Sequence, residues 1–406
     1  MKMKYWICQV LAVLSLGMLM LCSTVSALTQ EEYDKLRVYS DVLSLIEKNY
    51  VEEKDPSDVI YESIKGMVRN LDPHSSFMPP SVYRELQVET KGKFGGLGIE
   101  ITIKDRELII VSPIEDTPAF RAGLKSGDRI IKIEETLTKN MDIMDAIKLM
   151  RGKPGTKIRL TVHREGFSKP KAFTIVRDVI KIKSVKSELL QDKYAYIRIA
   201  QFQENTTRDF KRTLKRLSER KKGIAGLIID LRSNPGGLLT QAVKVIDLFI
   251  DEGLIVYTDG RITSQNLQYH AHDNSEKFNY HMVVLVNEGS ASASEIVAGV
   301  FQDHHRAIVI GNKTFGKGTV QTIFPLVDGS GLRLTTAKYY LPSHRTTHGK
   351  GIEPDILVKP VDDNATLTTE ELIQRRNKSV EDDVLVMKAV EILGQWDRYE
   401  PILSKH

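Results

Sequence analysis

Two uninterrupted apolar runs constrain this chain more than any other feature: Ile224–Asp230 and Met282–Val286. Neither alternates apolar with polar residues, so neither reads as a strand with one face in water. Both read as strands buried on two sides, the situation inside a parallel sheet flanked by helices. A helical segment follows each run, Leu238–Ile250 after the first and Ser294–Asp303 after the second, and Ala307–Ile310 adds a further strand. Upstream, Tyr194–Ile199 reads as a strand and Thr207–Leu217 as a helix. This rhythm, beginning near Ser184, predicts an α/β core.

The core occupies less than half of the 406 residues, and a chain of this length is expected to hold two or three domains. Residues 1–27 read as a targeting segment: Lys2 and Lys4 precede the apolar stretch Ile7–Leu21, and Val25-Ser26-Ala27 is a small-residue cleavage site. Export to the periplasm is the expectation, with attachment to the inner membrane if the leader is retained. Cys8 and Cys22 both lie in the leader, so the mature chain has no cysteine, which excludes disulfides, thiol catalysis and cysteine-ligated zinc. The formal charge of +5 falls to +3 without Lys2 and Lys4, and no basic stripe with interleaved aromatics points to nucleic acid. Residues 28–91 read as a helical arm, with Leu36, Tyr39, Leu43, Ile46 and Tyr50 at helical spacing and a second helix from Asp55-Pro56. Residues 92–180 hold short β-type runs and one helix, Met141–Met150. The core spans 181–362, and 363–406 is helical, with Val386, Val390, Leu393 and Trp396 on one stripe.

In the β-rich module, Gly96-Leu97-Gly98-Ile99 has a direct physical reading. Glycines let successive backbone N–H groups turn toward one point, and such a nest binds an anion, for instance a peptide's C-terminal carboxylate. The strand after it can pair with an extended peptide, while the Met141–Met150 helix lines the other wall. A glycine-rich hairpin without a ligand is the alternative for these four residues. Together with Ser112-Pro113-Ile114, Pro118-Ala119, Ala122-Gly123-Leu124 and Gly127-Asp128-Arg129-Ile130-Ile131, the loop resembles bacterial PDZ domains.

In the core, Gly311–Lys317 fits the G-x-x-x-x-G-K of a phosphate loop. However, Gly318 stands where a Ser or Thr should ligate magnesium, and Thr319–Phe324 alternates like a strand where a helix should open. Nucleotide binding is therefore disfavoured, the more so for an exported chain. Asn287–Glu295, with serines at 290, 292 and 294, joins the second buried strand to its helix. Small residues at such a turn let a hydroxyl stand clear, as in a nucleophile elbow, although G-x-S-x-G is not met. Serines are also good N-caps, and both uses fit if Ser294 caps while another serine attacks. A base is then needed. His304 and His305 read as solvated imidazoles, whereas a lysine serves when burial favours its neutral form, and Ser–Lys pairs are an established variant of the triad.

Ser290–Glu295, Thr314–Gln321 and Asp230–Leu239, together with the PDZ-like module, resemble the C-terminal processing (tail-specific) proteases over about Asp72–Val358. The fold class implied is α+β and multidomain: a PDZ-like module before an α/β serine-protease core, with helical arms at both ends. The resemblance implies Ser292 as nucleophile, Lys317 as general base and Gln321 as the group holding the lysine amine. On a strand, the i, i+4 spacing of Lys317 and Gln321 puts both on one face. It implies oxyanion donors from Ala293 and from Gly237 or its neighbour Gly236, and tail binding by Gly96, Leu97, Gly98 and Ile99, with no metal or cofactor. Arg151, at the end of the PDZ helix, is a regulatory candidate that would bridge module and core, or else a solvated turn residue. The expected activity is endoproteolysis of proteins with apolar or unstructured C-terminal tails. An adaptor or activator and a homo-oligomer, formed through the helical ends Leu36–Leu71 and Ser379–Tyr399, are the further partners implied, unless those apolar stripes pack on the core. The rival reading is a PDZ-bearing adaptor that holds tails without cutting them.

Overall fold

The computed structural model describes residues 29–104, 106–114, 116–181, 183–220, 223–273, 278–358 and 380–405; the expected leader, 1–27, lies outside them. The chain divides into two units after Phe77. The first contains the helices Gln30–Asn49 and Pro56–Arg69. Their starts are set locally: Thr29 and Glu32 form a capping box, and Asp55 accepts from the Ser57 N–H with Pro56 in the first turn. The Tyr39 and Ser63 hydroxyls are hydrogen-bonded to each other, while Leu36, Tyr39, Val42 and Leu45 stay exposed.

The second unit opens with the helix Pro80–Lys91, which packs against segments downstream of it and so leaves the 28–91 arm suggested by the sequence. The Tyr83 ring lies against Gly331, the Thr90 carbonyl accepts from the Glu204 N–H at 3.2 Å, and Glu85 pairs with Arg151. The chain then enters an antiparallel sheet of Ile99–Lys104, Glu107–Pro113, Arg129–Ile133, Lys157–His163 and Lys171–Val176, in that spatial order. Leu108, Ile110, Ile130, Leu160 and Val162 alternate into its core with Leu97, Ala146 and Met150. Ile99–Lys104 is an edge strand. A groove of about 510 Å³ runs along it, walled by Ile143, Ile147 and Met150 of the helix Ile143–Met150.

The α/β core is built on six strands in the order Val185–Leu190, Tyr194–Ile199, Gly226–Asp230, Met282–Val286, Ile308–Gly311 and Ile356–Leu357. The first pair is antiparallel and the others are parallel. Period two explains why the two diagnostic runs are apolar throughout. Leu227, Ile229, Met282, Val284 and Val286 face one layer, where the helices Thr206–Ser218, Leu239–Ile246 and Ala293–Asp303 supply Phe210, Leu214, Val245 and Phe301. Ile228, Val283, Leu285, Ile308 and Ile310 face the other, covered by Val386, Val390, Ile392, Leu393 and Trp396. The C-terminal stripe is thus spent on the chain's own sheet, the packing that the sequence left open as the alternative to an oligomerisation arm. A separate sheet pairs Thr319–Pro325 with Gly331–Tyr340, and the latter with Leu254–Gly260.

Candidate active site

Parallel strands bring their carboxyl ends to one edge of a sheet, and sites in open α/β sheets form there. Three neighbouring strands here end in the three segments singled out by sequence: Leu231–Gly237 after Gly226–Asp230, Asn287–Ser292 after Met282–Val286, and Asn312–Gly318 after Ile308–Gly311.

The middle turn separates its three serines by what their hydroxyls do. Ser290 is fully buried and its Oγ donates to the Leu231 carbonyl at 2.8 Å. Ser294 is fully buried and its Oγ donates to the Asn234 carbonyl at 3.0 Å. Ser292 is partly exposed and sits at φ +54°, ψ −114°, in left-handed space that non-glycine residues seldom occupy. The helix starts at Ala293, so Ser292, and not Ser294, occupies the N-cap position. The positive end of the helix dipole, which favours developing negative charge, therefore lies at this turn.

The first loop meets that turn closely. A Cβ added to Gly236, whose φ is +102°, would lie 2.8 Å from the Ala291 carbonyl oxygen, 2.9 Å from the Ser292 Cβ and 3.0 Å from the Ala293 nitrogen. Asn234 holds the contact in place. Fully buried, it donates Nδ2 to the Ile199 carbonyl at 2.8 Å and accepts the Gly236 N–H on Oδ1 at 2.9 Å, while its own carbonyl accepts from the Ala291 N–H at 3.0 Å. The Gly236 N–H is therefore already used, which removes Gly236 from the two oxyanion-donor candidates. Phe202 bridges its neighbours, accepting from the Leu238 N–H and donating to the Gly236 carbonyl, both at 2.8 Å. The Gly236 carbonyl and the Leu238 N–H thus both face Phe202, and the Gly237 N–H between them, like that of Ala293, has no acceptor among the described residues.

The third loop is fixed by a buried carboxylate. Glu295, fully buried one turn into the helix, accepts from the N–H groups of Ser292 and Lys317 on Oε2, both at 2.8 Å. Its Oε1 accepts from the Gly316 N–H at 2.7 Å and the Thr314 hydroxyl at 2.6 Å. The amides that a phosphate loop would offer to an anion are bound to a carboxylate of the chain itself, and a strand follows instead of a helix; this disposes of the nucleotide reading. The buried Tyr339 hydroxyl adds a second tie, donating to the Lys317 carbonyl at 2.6 Å with the Ser292 carbonyl 3.3 Å away. Burial first, then the Glu295 charge, holds the Tyr339 pKa well above its ordinary value, so the hydroxyl stays a donor.

Lys317 is partly buried, but it precedes the strand Thr319–Pro325, and the ladder shifts register between Val320 and Gln321. Strand alternation therefore does not run unbroken from Lys317 to Gln321, and the same-face argument fails on that ground. Gln321 donates Nε2 to Thr319 Oγ1 at 2.8 Å, which leaves its Oε1 as the acceptor end. His304 lies at the far end of the helix with Nε2 2.8 Å from the Leu254 carbonyl oxygen, outside the site. Arg151 pairs with Glu85 at 3.6 Å and stacks over Phe94 at 4.9 Å. Among the described residues it thus ties the module to the Pro80–Lys91 helix rather than to the sheet core.

In the β-rich module, the Leu97 and Gly98 carbonyls accept from the Ala119 and Ile114 N–H groups. Their own N–H groups have no acceptor among the described residues and stand at the mouth of the groove. Gly98 has φ +78°, and an added Cβ would lie 2.3 Å from the Thr117 Cβ. Gly98→Ala is therefore expected to weaken binding of a C-terminal peptide by roughly tenfold or more, one charge-assisted hydrogen bond's worth, without changing the folding of the sheet core; fluorescence anisotropy with a labelled peptide checks this.

A serine held in strained backbone at a strand-to-helix turn, beside a lysine loop and paired glycines, defines a serine-type hydrolase; the peptide-sized groove of the attached module makes polypeptide the fitting substrate. Comparison with known proteins agrees. The model for Peptidase family S41 matches residues 193–358, and the PDZ domain model matches residues 95–175. A carboxy-terminal-processing protease of Bartonella bacilliformis is 44% identical over 332 residues, covering 81% of this chain and 76% of that protein. A carboxyl-terminal-processing protease of a Synechocystis species is 39% identical, covering 74% of this chain and 71% of that one. A solved structure, the photosystem II D1 C-terminal processing protease, matches at 28% identity over 82% of this chain and 94% of that one, with a TM-score of 0.47. The chain belongs to the carboxy-terminal-processing proteases of peptidase family S41 and is a serine-type peptidase with a PDZ domain.

Sequence reasoning named the three loops but not what locks them together. Glu295 was legible in principle, since S-x-x-E ahead of a helix is a capping-box signature. Asn234 and Tyr339 carry no such local signal, because their partners come from distant segments.

Proposed function

We propose that this chain is an exported endopeptidase that takes hold of substrate C-termini in its PDZ groove and cuts peptide bonds with Ser292, Lys317 and Gln321. The observation that carries this reading is the sorting of the three serines: the Ser290 and Ser294 hydroxyls donate to backbone carbonyls, and Ser292 alone stands partly exposed in a strained turn against Gly236. Ser292 Oγ attacks the peptide carbonyl and Lys317 accepts its proton. The N–H groups of Ala293 and Gly237 take the developing oxyanion. Lys317 then returns the proton to the leaving amine, and water releases the acyl-enzyme. Gln321 presents Oε1 to the lysine amine. The tail carboxylate sits on the amides of Gly96–Ile99, with the substrate strand added to the edge strand Ile99–Lys104 and its last apolar side chain against Ile143 and Ile147. Arg151 joins this groove to the Pro80–Lys91 helix and is the contact through which tail binding reaches the rest of the unit. Substrates are proteins with apolar or unstructured tails, delivered in the periplasm with or without an adaptor. A second copy of the chain covers the exposed apolar face of Gln30–Asn49.

The test is mass spectrometry of an unstructured protein with an apolar C-terminus after incubation with the native chain and with Ser292→Ala and Lys317→Ala. Fragments from the native chain that vanish in both variants are expected. An intact substrate that still binds through its tail would favour a holding protein.

A further inference from the structure

The loop that presents Gly237 is tied at its base to the C-terminal helix through one ion chain. Asp230, fully buried at the end of its strand, receives the Arg232 guanidinium on both oxygens, with contacts of 2.8 to 3.1 Å, the Tyr196 hydroxyl at 2.6 Å and Arg198 at 3.3 Å. Burial opposes its charge, but Arg232, Arg198 and Tyr196 together hold its carboxyl below the usual range. Arg232 is left with one outward nitrogen, and this donates to Asp383 Oδ2 at 2.8 Å. Asp383 divides its work by atom. Its Oδ1 caps the helix Val384–Gly394, accepting from the Leu385 and Val386 N–H groups at 2.9 and 3.2 Å, while Oδ2 serves, among the described residues, Arg232 alone. Arg232 also lies between two residues that grip the serine turn: the Leu231 carbonyl accepts from Ser290, and Asn234 accepts from Ala291 and Ser294.

We propose that Asp383 is a positioning residue for peptide-bond hydrolysis: by pairing with Arg232 it fixes the register of the 231–237 loop, and so makes docking of the C-terminal helix a condition for a formed oxyanion site. The inference rests on Gly237 serving as an oxyanion donor. It goes beyond that role in making a residue about 150 positions away, on the opposite face of the sheet from the Ala293–Asp303 helix, part of the positioning machinery. A loop displaced by a fraction of an ångström is enough, since misplacement by 1 Å costs on the order of a hundredfold in rate.

The division of labour between the two oxygens supplies the test. Asp383→Asn keeps an N-cap oxygen, and Asn caps as well as Asp, but it turns an amide toward Arg232. In the full chain its kcat is expected to fall about tenfold, with KM unchanged, the chain still fully folded at the assay temperature although its thermal midpoint drops, and faster amide exchange across 231–237. Asp383→Glu, which restores the charge, is expected to recover most of the kcat. Wild-type kcat and wild-type exchange in Asp383→Asn would overturn the proposal, as would a kcat loss matched by an equal loss of folded protein. If the native chain shows no Ser292-dependent turnover, the peptidase role of Ser292 fails, and loop exchange in Asp383→Asn still decides whether Asp383 sets the loop.

Discussion

Replacing Glu295 by Gln is expected to destabilise the chain by about 3–5 kcal/mol, the loss of roughly two hydrogen bonds to a charged acceptor, and to lower turnover by on the order of a hundredfold or more. A carboxylate is an acceptor on both oxygens, and all four groups facing Glu295 are donors: the N–H groups of Ser292, Gly316 and Lys317 and the Thr314 hydroxyl. An amide of the same shape must point an NH2 at one pair. If it faces Ser292 and Lys317, two backbone N–H groups lose their acceptor inside the protein. If it faces Gly316 and Thr314, the hydroxyl can turn to accept, but the Gly316 N–H cannot. No rotamer satisfies the site, and water has no route to a side chain with no exposed surface. The effect on turnover follows from which groups are bound. Glu295 fixes the backbones of Ser292 and Lys317 through one oxygen, so on the roles proposed for them its loss uncouples the two residues whose separation sets proton transfer. Urea unfolding and peptide turnover on the same preparation check this. A variant within about 1 kcal/mol of wild type in stability, with nearly full turnover, would mean that other contacts set the distance.

The same carboxylate shows where sequence reasoning reaches and where it stops. The α/β core was legible because its signal is collective. Leu227–Ile229 and Met282–Val286 must be covered on both faces, and only a layered parallel sheet does that for several runs in one chain. Once the strands are parallel, the meeting of the three loops is forced, since each follows the carboxyl end of an adjacent strand. The edge strand and groove of the PDZ module were legible for a similar reason: the glycine loop, strand and helix are written consecutively. What sequence could not give was the fate of individual hydroxyls and amides. Residue chemistry left three serines in five residues open, only the family resemblance pointing to Ser292, and two of them are taken out by Leu231 and Asn234, some 60 residues away. The i, i+4 argument for Lys317 and Gln321 failed because it assumed a regular strand where the chain has a loop and then a register shift. The C-terminal stripe was ambiguous for want of a partner face, and only the alternating underside of the sheet shows that it is internal.

The second large effect is expected at Gly236, where one methyl group should abolish activity with the fold intact. Gly236→Ala places a Cβ against the Ala291 oxygen, the Ser292 Cβ and the Ala293 nitrogen at 2.8 to 3.0 Å. None of the three is the end of a flexible side chain. Relief therefore means moving either the Ser292 turn or the 231–237 loop, and on the roles proposed for Ala293 and Gly237 each movement disturbs the oxyanion site. Losing one oxyanion donor costs about a hundredfold to a thousandfold in kcat. Two donors drawn apart, with the nucleophile displaced as well, are expected to cost at least the upper end of that range. The backbone angle adds a penalty of its own, since φ +102° is poorly tolerated by any L side chain. That penalty can be measured separately. Gly166 has φ +88° and nothing within 4 Å of an added Cβ, so Gly166→Ala carries the strain without the collision. It should lose a little stability, of order 1 kcal/mol, and keep its turnover, whereas Gly236→Ala should keep its circular dichroism and lose turnover by about a thousandfold. Should Gly236→Ala retain more than about a tenth of wild-type turnover, the proposed oxyanion site between Ala293 and Gly237 would be wrong, because the methyl group cannot be admitted without moving the Ser292 turn or the loop that carries Gly237.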